Sequence, residues 1–347
     1  GGHRGRCAHL PARSPRRLHL GSVMSLRGLG VIIPVHGALA PVLPLLESLC
    51  GEDVPAAQRP ARVVLVDDAS PVPVAPDELP AGVELVRRPA NGGFGAAVNT
   101  GLDALAAPVG AADAAGGPAI EHALVLNSDL QIPPGFCADL LAHALPWMPA
   151  VVGCRNVGED GGSGYAARYF PTISHQVVEW LVPLASQRHR DVLHRAVGHD
   201  LDAERGSGMV PVDWVSGAVL LLPFAEVRKA GGFDEGYFMY TEEVDLQVRL
   251  RRAGIPALLD ADLEVRHVGG GSSGGEARRR RWLVGARMRY ARKHGHVHLL
   301  RGAMTLATGA NLLWNSGRRA AGRDVAPLAV VREELDLIHR AGRTLPR

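Results

Sequence analysis

Arg62-Val63-Val64-Leu65-Val66-Asp67-Asp68-Ala69-Ser70 is the stretch that decides the fold. Its apolar residues run from Val63 to Val66 without alternation and stop at two carboxylates. Such a run is typical of a parallel strand that is buried on both faces of a sheet. The stretch therefore predicts a buried strand that carries polar side chains to one edge of a sheet.

Three other apolar runs also end in polar residues, and two segments with helical spacing lie between the runs. The strands are expected at 30–35, 83–86 and 122–126, and the helices at 41–50 and 96–106. Alternating strands and helices predict an α/β fold with an open, mostly parallel, Rossmann-like sheet that has helices on both faces. In such sheets ligands bind at the carboxyl ends of the strands, which is where the polar clusters fall.

The bulk composition is that of a globular protein, with 46% hydrophobic and 21% charged residues and a formal net charge of +3. Four scattered cysteines without a CxxC pair argue against a zinc site or a disulfide framework and suit a reducing compartment. No apolar run reaches the ~18 residues that a membrane-spanning helix needs. Residues 296–316 come nearest, and we expect them at most to lie against a surface.

Basic residues are concentrated near the C-terminus. Eight Arg and one Lys lie between Glu276 and Arg301, against a single acid. Such a patch favours anionic lipid, nucleic acid or diphosphate-linked substrates, and a solvated basic helix face is the alternative. Aromatic residues beyond Trp282 and Tyr290 are missing from it, so specific nucleic-acid binding is not expected.

Two acidic clusters are candidates for chemistry. Glu242 and Glu243 follow an aromatic run, and apolar surroundings raise the proton affinity of a carboxylate, as a general base requires. The same acids would also stabilise the first turn of a helix predicted over 244–253. Asp129 is either an oxygen ligand for Mg²⁺ or Mn²⁺ or a cap, and His267 is either a metal ligand or a core histidine.

The joint order of these segments is more specific than any one of them. It runs through Pro34-Val35-His36, Val66-Asp67-Asp68-Ala69-Ser70, Asn91-x-Gly93-Phe94 with Asn99 and Gly101, Leu126-Asn127-Ser128-Asp129, Trp214-x-Ser216-Gly217, Gly232-Phe233-Asp234-Glu235 with Glu242-Glu243-x-Asp245 and Arg249, and His267. This series resembles the family 2 glycosyltransferases with the GT-A fold, particularly their rhamnosyltransferase-like and galactofuranosyltransferase-like members. The resemblance covers roughly residues 30–270.

The resemblance implies a nucleoside-diphosphate sugar donor and a divalent metal, Mn²⁺ or Mg²⁺. Donor-binding residues would be Pro34, His36, Asp67, Asp68, Asn91, Gly93, Phe94, Asn99, Asn127 and Ser128. Acceptor-side residues would be Trp214, Gly217 and Asp245. Asp129 matches the last acid of the family's metal-binding DxD, and His267 matches a downstream histidine that completes the metal site. Glu243, with Glu242 beside it, falls where the family carries its catalytic base.

Two positions depart from the family pattern. Asn127 stands in place of the first DxD acid. Glu243 replaces the usual Asp, and its extra methylene moves the carboxylate by about 1 Å, a displacement that can be costly in rate. A catalytically weak or inactive nucleotide-sugar- or glycan-binding relative is therefore the alternative function. A nucleotidyltransferase is disfavoured because no glycine-rich basic loop occupies residues 34–38, and a dinucleotide site because Val98 replaces its third glycine.

The resemblance also divides the chain. We expect a leader at 1–27 that is disordered or derived from an expression vector, a catalytic domain at 28–275, and a basic helical extension at 276–347. The domain would split into a nucleotide-binding half (28–130) and an acceptor-binding half (131–275).

The expected reaction is inverting transfer of a sugar, rhamnose or a related hexose, to a hydroxyl of a glycan or lipid-linked acceptor in cell-wall or surface polysaccharide or glycolipid synthesis. The expected location is cytoplasmic, with residues 278–301 holding the chain to an anionic inner membrane surface. The sequence is compatible with a dimer and does not define the oligomeric state.

Overall fold

The computed structural model describes residues 26–108, 119–187, 189–267 and 275–340. A nine-stranded mixed sheet lies at its centre, with hydrophobic cores on both faces. The predicted α/β class is confirmed. The leader up to residue 25, the insertion at 109–118 and the glycine-rich segment after His267 lie outside the described residues. Leu26, which the predicted boundary gives to the leader, is buried in the core.

The described strands are β1 (Leu29–Val35), β2 (Arg62–Asp67), β3 (Val83–Arg87), β4 (His122–Leu126), β5 (Leu130–Gln131), β6 (Val151–Val157), β7 (Ala167–Arg168), β8 (Met209–Val212), β9 (Trp214–Val215), β10 (Val219–Pro223) and β11 (Ala257–His267). The main sheet has the order β3-β2-β1-β4-β10-β6-β11-β5, and β8 pairs with β11 off this path. A separate small sheet pairs β7 with β9.

The described helices are α1 (Leu43–Cys50), α2 (Phe94–Ala106), α3 (Phe136–Ala144), α4 (Ile173–Trp180), α5 (Asp191–Ala196), α6 (Leu201–Glu204), α7 (Phe224–Lys229), α8 (Glu242–Arg252), α9 (Glu276–His294), α10 (Val297–Ala320) and α11 (Pro327–Arg340). Short 3₁₀ turns occur at Ala56–Gln58, Pro76–Glu78, Leu145–Trp147 and Val182–Gln187.

The first half of the sheet is parallel, as the unbroken apolar runs predict. β1 pairs with β2 and β4, and β2 pairs with β3, all in parallel. Alternate residues of β1 enter opposite cores: Val31 and Ile33 pack on one face, and Ile32 on the other. Val35 stands opposite Asp67, so β1 and β2 end at the same edge of the sheet.

The second half is mixed. β10 lies antiparallel between β4 and β6, whereas β6 and β11 are parallel. The apolar segment 215–222, one continuous run in the sequence, divides into β9 and β10 at the turn that contains Gly217. Residues 155–210 contain the short helices α4, α5 and α6.

The C-terminal helices α9, α10 and α11 confirm the predicted helical region, and they pack on α4. The Trp180 indole donates to Thr308 Oγ1 at 2.9 Å, and the Asn311 amide donates to Trp180 O at 3.1 Å. Within the described residues, no helix is both long enough and apolar enough to span a bilayer.

Candidate active site

A cavity of about 460 Å³ lies where β1 and β4 end, and we call it the strand-end cavity. The loop before α2, the segment before α8 and the start of α9 complete its wall. Ten residues that the sequence predicts for donor or metal binding line it: Pro34, His36, Asp68, Asn91, Gly93, Phe94, Asn127, Ser128, Asp129 and His267. Segments separated by more than 200 residues therefore meet at one strand edge.

Asp68 holds the loop that enters α2. Its carboxylate accepts hydrogen bonds from the backbone of Gly92 at 3.0 Å and of Gly93 at 2.8 Å, and it pairs with Arg88 at 2.8 Å. Gly93 has φ +87°, and a Cβ there would overlap the carbonyl oxygen of Phe238. Glycine at 93 is thus required both by the left-handed backbone and by the close approach of the segment before α8.

Asp67 does not line the strand-end cavity. Its buried carboxylate accepts from the backbone of Ser70 at 2.8 Å and of Val74 at 3.3 Å, and it pairs with Arg87. Burial alone would raise the Asp67 pKa, but these hydrogen bonds outweigh it and hold the pKa below its ordinary value. Asp67 therefore fixes the turn after β2, and Asp68 is the carboxylate that faces the cavity.

Asn99 also lies away from the cavity and joins α2 to the loop before α8. Its amide donates to Phe233 O at 2.9 Å and to Glu235 at 3.0 Å, and its oxygen accepts from Phe233 N at 2.8 Å. The side chain thus clamps the segment 233–235, whose continuation at 238–240 lines the cavity.

Asp129 and His267 meet inside the strand-end cavity. Asp129 Oδ1 lies 2.9 Å from His267 Nε2, and Asn127 Nδ2 lies 3.5 Å from the same nitrogen. The antiparallel pairing of β5 with β11 places His267 opposite Leu130, next to Asp129. In the part of the chain that the structure describes, no group of three or more His, Cys, Asp or Glu converges on one point.

A second cavity of about 430 Å³ adjoins the first, and we call it the Glu243 cavity. Its walls come from the region 168–199, from β9 and the start of α8, and from α9. Trp214 lines it, as predicted for the acceptor side, and the Trp214 indole donates to Tyr169 O at 2.9 Å.

The two cavities meet at Tyr240 and Arg279, which line both. Gly217 lies at the same boundary: a methyl group there would stand 3.7 Å from Glu243 Cγ and 3.7 Å from the Phe94 ring. Phe94 belongs to the strand-end cavity and Glu243 to the other. Asp129 and His267 are therefore brought together in one cavity, and Glu243 opens into its neighbour.

Glu242 and Glu243 begin α8 with poorly solvated carboxyl groups. Glu242 is 3% exposed, and the Oε2 atoms of both residues are buried without a hydrogen-bond partner among the described residues. Burial raises the pKa of both carboxyls above the ordinary value; the neighbouring Glu243 charge adds to the effect on Glu242, while Arg168 opposes it at Glu243. Glu243 is thus the more easily ionised member of a pair whose proton affinity is high.

The backbone before these acids is strained. Tyr240 and Thr241 both have left-handed φ angles, +70° and +71°, which non-glycine residues adopt at a cost. Such strain persists only where the surrounding packing enforces it, and it is frequent at functional sites. Here it turns the chain so that Tyr240 faces both cavities while α8 begins with the two acids.

Asp245, predicted on the acceptor side, does not line either cavity. It is fully buried and binds Arg249 at 2.9 Å, Lys293 at 2.8 Å and His294 at 2.8 Å. These contacts join α8 to α9, so Asp245 positions α9 beside the Glu243 cavity.

Sequence reasoning missed much of the Glu243 cavity. Arg168, His175, Glu179, His194 and His199 all line it, and none of them was predicted as a site residue. The Arg168 guanidinium stacks 5.5 Å from the Trp214 ring, and burial, with Arg168 and His194 nearby, lowers the His199 pKa to about 3. The high density of His and Arg in residues 168–199 is the sequence signal that could have indicated this cavity. Arg278, Arg279 and Trp282 of α9 also reach the strand-end cavity.

Comparison with protein families places this architecture among known proteins. The family model described as Glycosyl transferase family 2 matches residues 30–195. N-acetylglucosaminyl-diphospho-decaprenol L-rhamnosyltransferase of Mycobacterium tuberculosis (strain H37Rv) is 32% identical over 244 residues, which are 68% of this chain and 76% of that protein. Rhamnosyltransferase WbbL of Escherichia coli (strain K12) is 31% identical over 91 residues, 26% of this chain and 30% of that protein.

Among solved structures, GalNAc-T7 with UDP, GalNAc and Mn²⁺ superposes with a TM-score of 0.50 at 14% identity. The match covers 76% of this chain and 47% of that one. At this identity the likeness concerns the fold alone, and it confirms the predicted GT-A fold.

Proposed function

The chain belongs to glycosyl transferase family 2, and from this premise we propose that it moves a sugar from a nucleoside-diphosphate donor to an acceptor hydroxyl with inversion at the anomeric carbon. The observation that carries the proposal is the pair of adjoining cavities. One contains eight of the ten predicted donor residues and the Asp129–His267 pair, and the other contains a carboxylate of raised proton affinity. Donor and acceptor can then approach each other across the boundary formed by Tyr240, Arg279 and Gly217.

The strand-end cavity would hold the donor. Its volume of about 460 Å³ falls within the range of small-molecule sites, roughly 300–1,000 Å³. Asp68 and Asn91 line it beside the strand ends and can accept hydrogen bonds from a base or ribose. Arg278 and Arg279 supply positive charge that suits a diphosphate. In this proposal Asp67 and Asn99 act indirectly, by fixing the loops that carry the lining residues.

Asp129 and His267 would hold the divalent cation. A carboxylate oxygen and an imidazole nitrogen already meet at 2.9 Å inside the cavity, and both are acceptable ligands for Mn²⁺ or Mg²⁺. Such sites commonly use one or two protein ligands and complete the shell with substrate phosphates and water. When bound, the cation would neutralise negative charge on the departing nucleoside diphosphate.

Glu243 would act as the general base. In the proposed step its ionised carboxylate takes the proton from the acceptor hydroxyl as that oxygen attacks the anomeric carbon. The bond from the anomeric carbon to the diphosphate breaks in the same displacement, so the configuration inverts. Burial raises the Glu243 pKa and so strengthens the base, and Arg168 keeps it ionisable. Glu242, buried behind it, would help to hold its position.

The relatives suggest the acceptor and the pathway. The Mycobacterium tuberculosis relative is described as acting on a lipid diphosphate that carries N-acetylglucosamine. We extend this to the present chain: rhamnose or a related hexose would be transferred to a lipid-linked or glycan acceptor during synthesis of a cell-wall or surface polysaccharide. A catalytically weak relative that only binds nucleotide sugars is the competing function, because Glu243 replaces the family's Asp.

The decisive experiment compares the wild-type protein with Glu243→Gln. Turnover of a panel of UDP-, dTDP- and GDP-sugars with Mn²⁺ is followed together with nucleotide affinity by calorimetry. We expect the variant to lose transfer by a factor of ~10²–10⁴, as removal of a general base does, and to keep its nucleotide affinity within about twofold. Equal turnover in the two proteins would remove Glu243 from the reaction. A wild-type protein that binds a nucleotide sugar but never transfers it would favour the binding-only relative.

The metal site is tested separately by Asp129→Ala. The nucleoside diphosphate is titrated by calorimetry with and without Mn²⁺. In the wild-type protein Mn²⁺ should raise the nucleotide affinity by about tenfold or more. The variant should lose that dependence. Nucleotide affinity that is the same with and without Mn²⁺ in the wild-type protein would contradict the site.

A further inference from the structure

Helix α10 is apolar on two opposite faces. One face, with Leu300 and Met304, is packed in the core formed with α4 and α11. The opposite face is exposed: Leu299 is 62%, Leu306 79% and Leu313 77% accessible. Leu299, Leu306 and Leu313 are spaced seven residues apart, so they form one line along the helix. A solvated helix normally places charged residues on such a face.

The rest of this face is small or uncharged. Gly302, Gly309, Ala310, Ser316 and Gly317 are exposed on it, and Trp314, 47% exposed, borders it. We call these residues, together with Leu299, Leu306 and Leu313, the α10 face. It extends over 19 residues, about 28 Å of helix at 1.5 Å per residue. Contiguous apolar patches of this extent on a soluble domain mark a site of interaction.

The charged residues of α10 itself all have one sign. Residues 297–323 contain four Arg and no Asp or Glu. Arg318, Arg319 and Arg323 are exposed beyond the end of the apolar line. No carboxylate among the described residues forms an ion pair with these three arginines. A surface that combines an apolar line with unneutralised cations is complementary to an anionic, apolar partner.

We propose that the α10 face docks on an anionic lipid bilayer, lying in the plane of the headgroups. Leu299, Leu306 and Leu313 would enter the acyl boundary, Trp314 would sit at headgroup depth, and the arginines would bind lipid phosphates. The helix lies on the surface and does not cross it. This inference goes beyond the proposed reaction and does not depend on it.

The same observations disfavour a second copy of the chain as the occupant. In a parallel pair of α10 helices the two C-terminal sets of arginines would lie side by side. In an antiparallel pair each set would lie beside the positive N-terminal end of the other helix, which carries Arg301 and no acid. The repulsion would oppose association, whereas a surface of lipid phosphates neutralises it.

We place the membrane contact on α10 rather than on the arginine run predicted for it at 278–301. Four basic residues of α9 are held by carboxylates of the chain: Arg280, Arg287, Arg289 and Lys293. Arg278 and Arg279 face the strand-end cavity. Six of the nine basic residues of this run are therefore paired with carboxylates or face the cavity, whereas Arg318, Arg319 and Arg323 are exposed at the far end of α10.

The test is flotation of the full chain with vesicles of phosphatidylcholine alone and of phosphatidylcholine with phosphatidylglycerol, without donor or acceptor. We expect binding to the anionic vesicles only. The double variant Leu306→Gln, Leu313→Gln keeps good helix formers at both positions. It should bind the anionic vesicles at least roughly tenfold more weakly than the wild-type protein. Val72→Gln is the matched control, because Val72 is equally exposed, at 77%, but lies outside α10. It should float like the wild-type protein.

Two further variants test the arginine contacts and the depth of Trp314 in the bilayer separately. Arg318→Gln with Arg319→Gln should weaken binding to the anionic vesicles and make that binding less sensitive to salt, since fewer phosphates are contacted. Trp314→Phe should remove most of the fluorescence quenching by brominated lipid. Each variant is also assayed with a water-soluble acceptor, where turnover should match the wild-type protein.

Three outcomes would overturn the proposal. They are flotation of the double Gln variant equal to the wild-type protein, equal binding to neutral and anionic vesicles, and a wild-type dimer in light scattering that the double Gln variant converts to a monomer. The last result would assign the α10 face to a second copy. Because flotation needs no substrate, loss of vesicle binding and failure of sugar transfer are distinguishable.

Discussion

At the scale of single residues, neighbouring carboxylates in this protein serve different purposes because their surroundings differ. Asp67 is buried among donors of its own turn, whereas Asp68, the next residue, reaches the cavity. In the same way Glu242 points into the core and Glu243 into a cavity. The sequence identifies each pair as important, but which member faces the ligand depends on backbone direction, which no single residue type encodes.

The buried Glu242 carboxyl should make the free energy of unfolding depend on pH. Its folded-state pKa is raised, so the folded protein holds this proton more tightly than the unfolded chain does. Stability linked to Glu242 is therefore greatest at pH below the ordinary Glu pKa and falls as pH rises through the folded-state pKa. Glu242→Gln removes the charge that cannot be solvated there. We expect a gain of about 1 kcal/mol at neutral pH and a smaller gain in acid.

Urea unfolding of the wild-type protein and Glu242→Gln at neutral and at acidic pH measures this difference. If the variant is less stable than the wild-type protein at neutral pH, an unseen partner solvates the Glu242 carboxylate and the assignment is wrong.

At the scale of elements, the parts that local sequence controls were predictable. Buried apolar runs gave β1, β2, β3 and β4, and the acids at 242–245 marked the start of α8. The antiparallel insertion of β10 was not predictable, because an apolar strand buried on both faces has the same composition in either direction. The Glu243 cavity was missed for a related reason: part of its wall comes from the short helices α4 and α5, whose stability comes from tertiary contacts rather than periodicity.

Gly93, in the loop that enters α2, and Gly82, in the turn before β3, form a matched pair of glycines. Gly93 and Gly82 have nearly the same φ, +87° and +88°, but a Cβ at 93 would overlap Phe238 O, whereas nothing lies within 4 Å of a Cβ at 82. We expect Gly82→Ala to cost about 1 kcal/mol, the strain of a left-handed alanine. Gly93→Ala should cost ~3 kcal/mol or more, because the loop and the segment before α8 must separate.

Thermal unfolding and nucleotide calorimetry distinguish these effects. The Gly93 variant should also lose nucleotide affinity, since both displaced segments line the strand-end cavity, and the Gly82 variant should retain it. Equal losses of stability in the two variants would show that backbone strain alone matters and that the contact with Phe238 does not.

At the scale of the whole molecule, the C-terminal helices pack against the elements that carry the candidate active site. Trp180 and Asn311 join α4 to α10, and Asp245 joins α8 to α9. Two arginines of α9 then complete the strand-end cavity. The sequence predicted a basic helical extension but could not show where it packs, because its arginines read as a solvated face until their carboxylate partners, distant in the chain, are placed beside them.

Asp245→Asn tests how strongly this arrangement depends on one buried carboxylate. Burial tends to raise the Asp245 pKa, but hydrogen bonds from Lys293, His294 and Arg249 outweigh it and lower the pKa. Its contribution to stability is therefore present at pH above the ordinary Asp pKa and is lost as pH falls through the lower folded-state value. Removing the charge takes a buried carboxylate away from Arg249 and Lys293, although Lys293 keeps its ion pair with Asp234. We therefore expect a loss of about 3 kcal/mol at neutral pH that narrows in acid.

Asp336→Asn is the control for Asp245→Asn, because Asp336 and Arg340 form an ion pair at the same i,i+4 spacing but on the exposed surface of α11. The free energy of unfolding of Asp336→Asn should fall by about 0.5 kcal/mol or less. Urea unfolding across a pH series measures both variants. Parallel stability profiles for Asp245→Asn and the wild-type protein would mean that the buried charge does not join α8 to α9. A difference that closes at low pH, accompanied by weaker nucleotide binding at neutral pH, would link the C-terminal helices to the formation of the strand-end cavity.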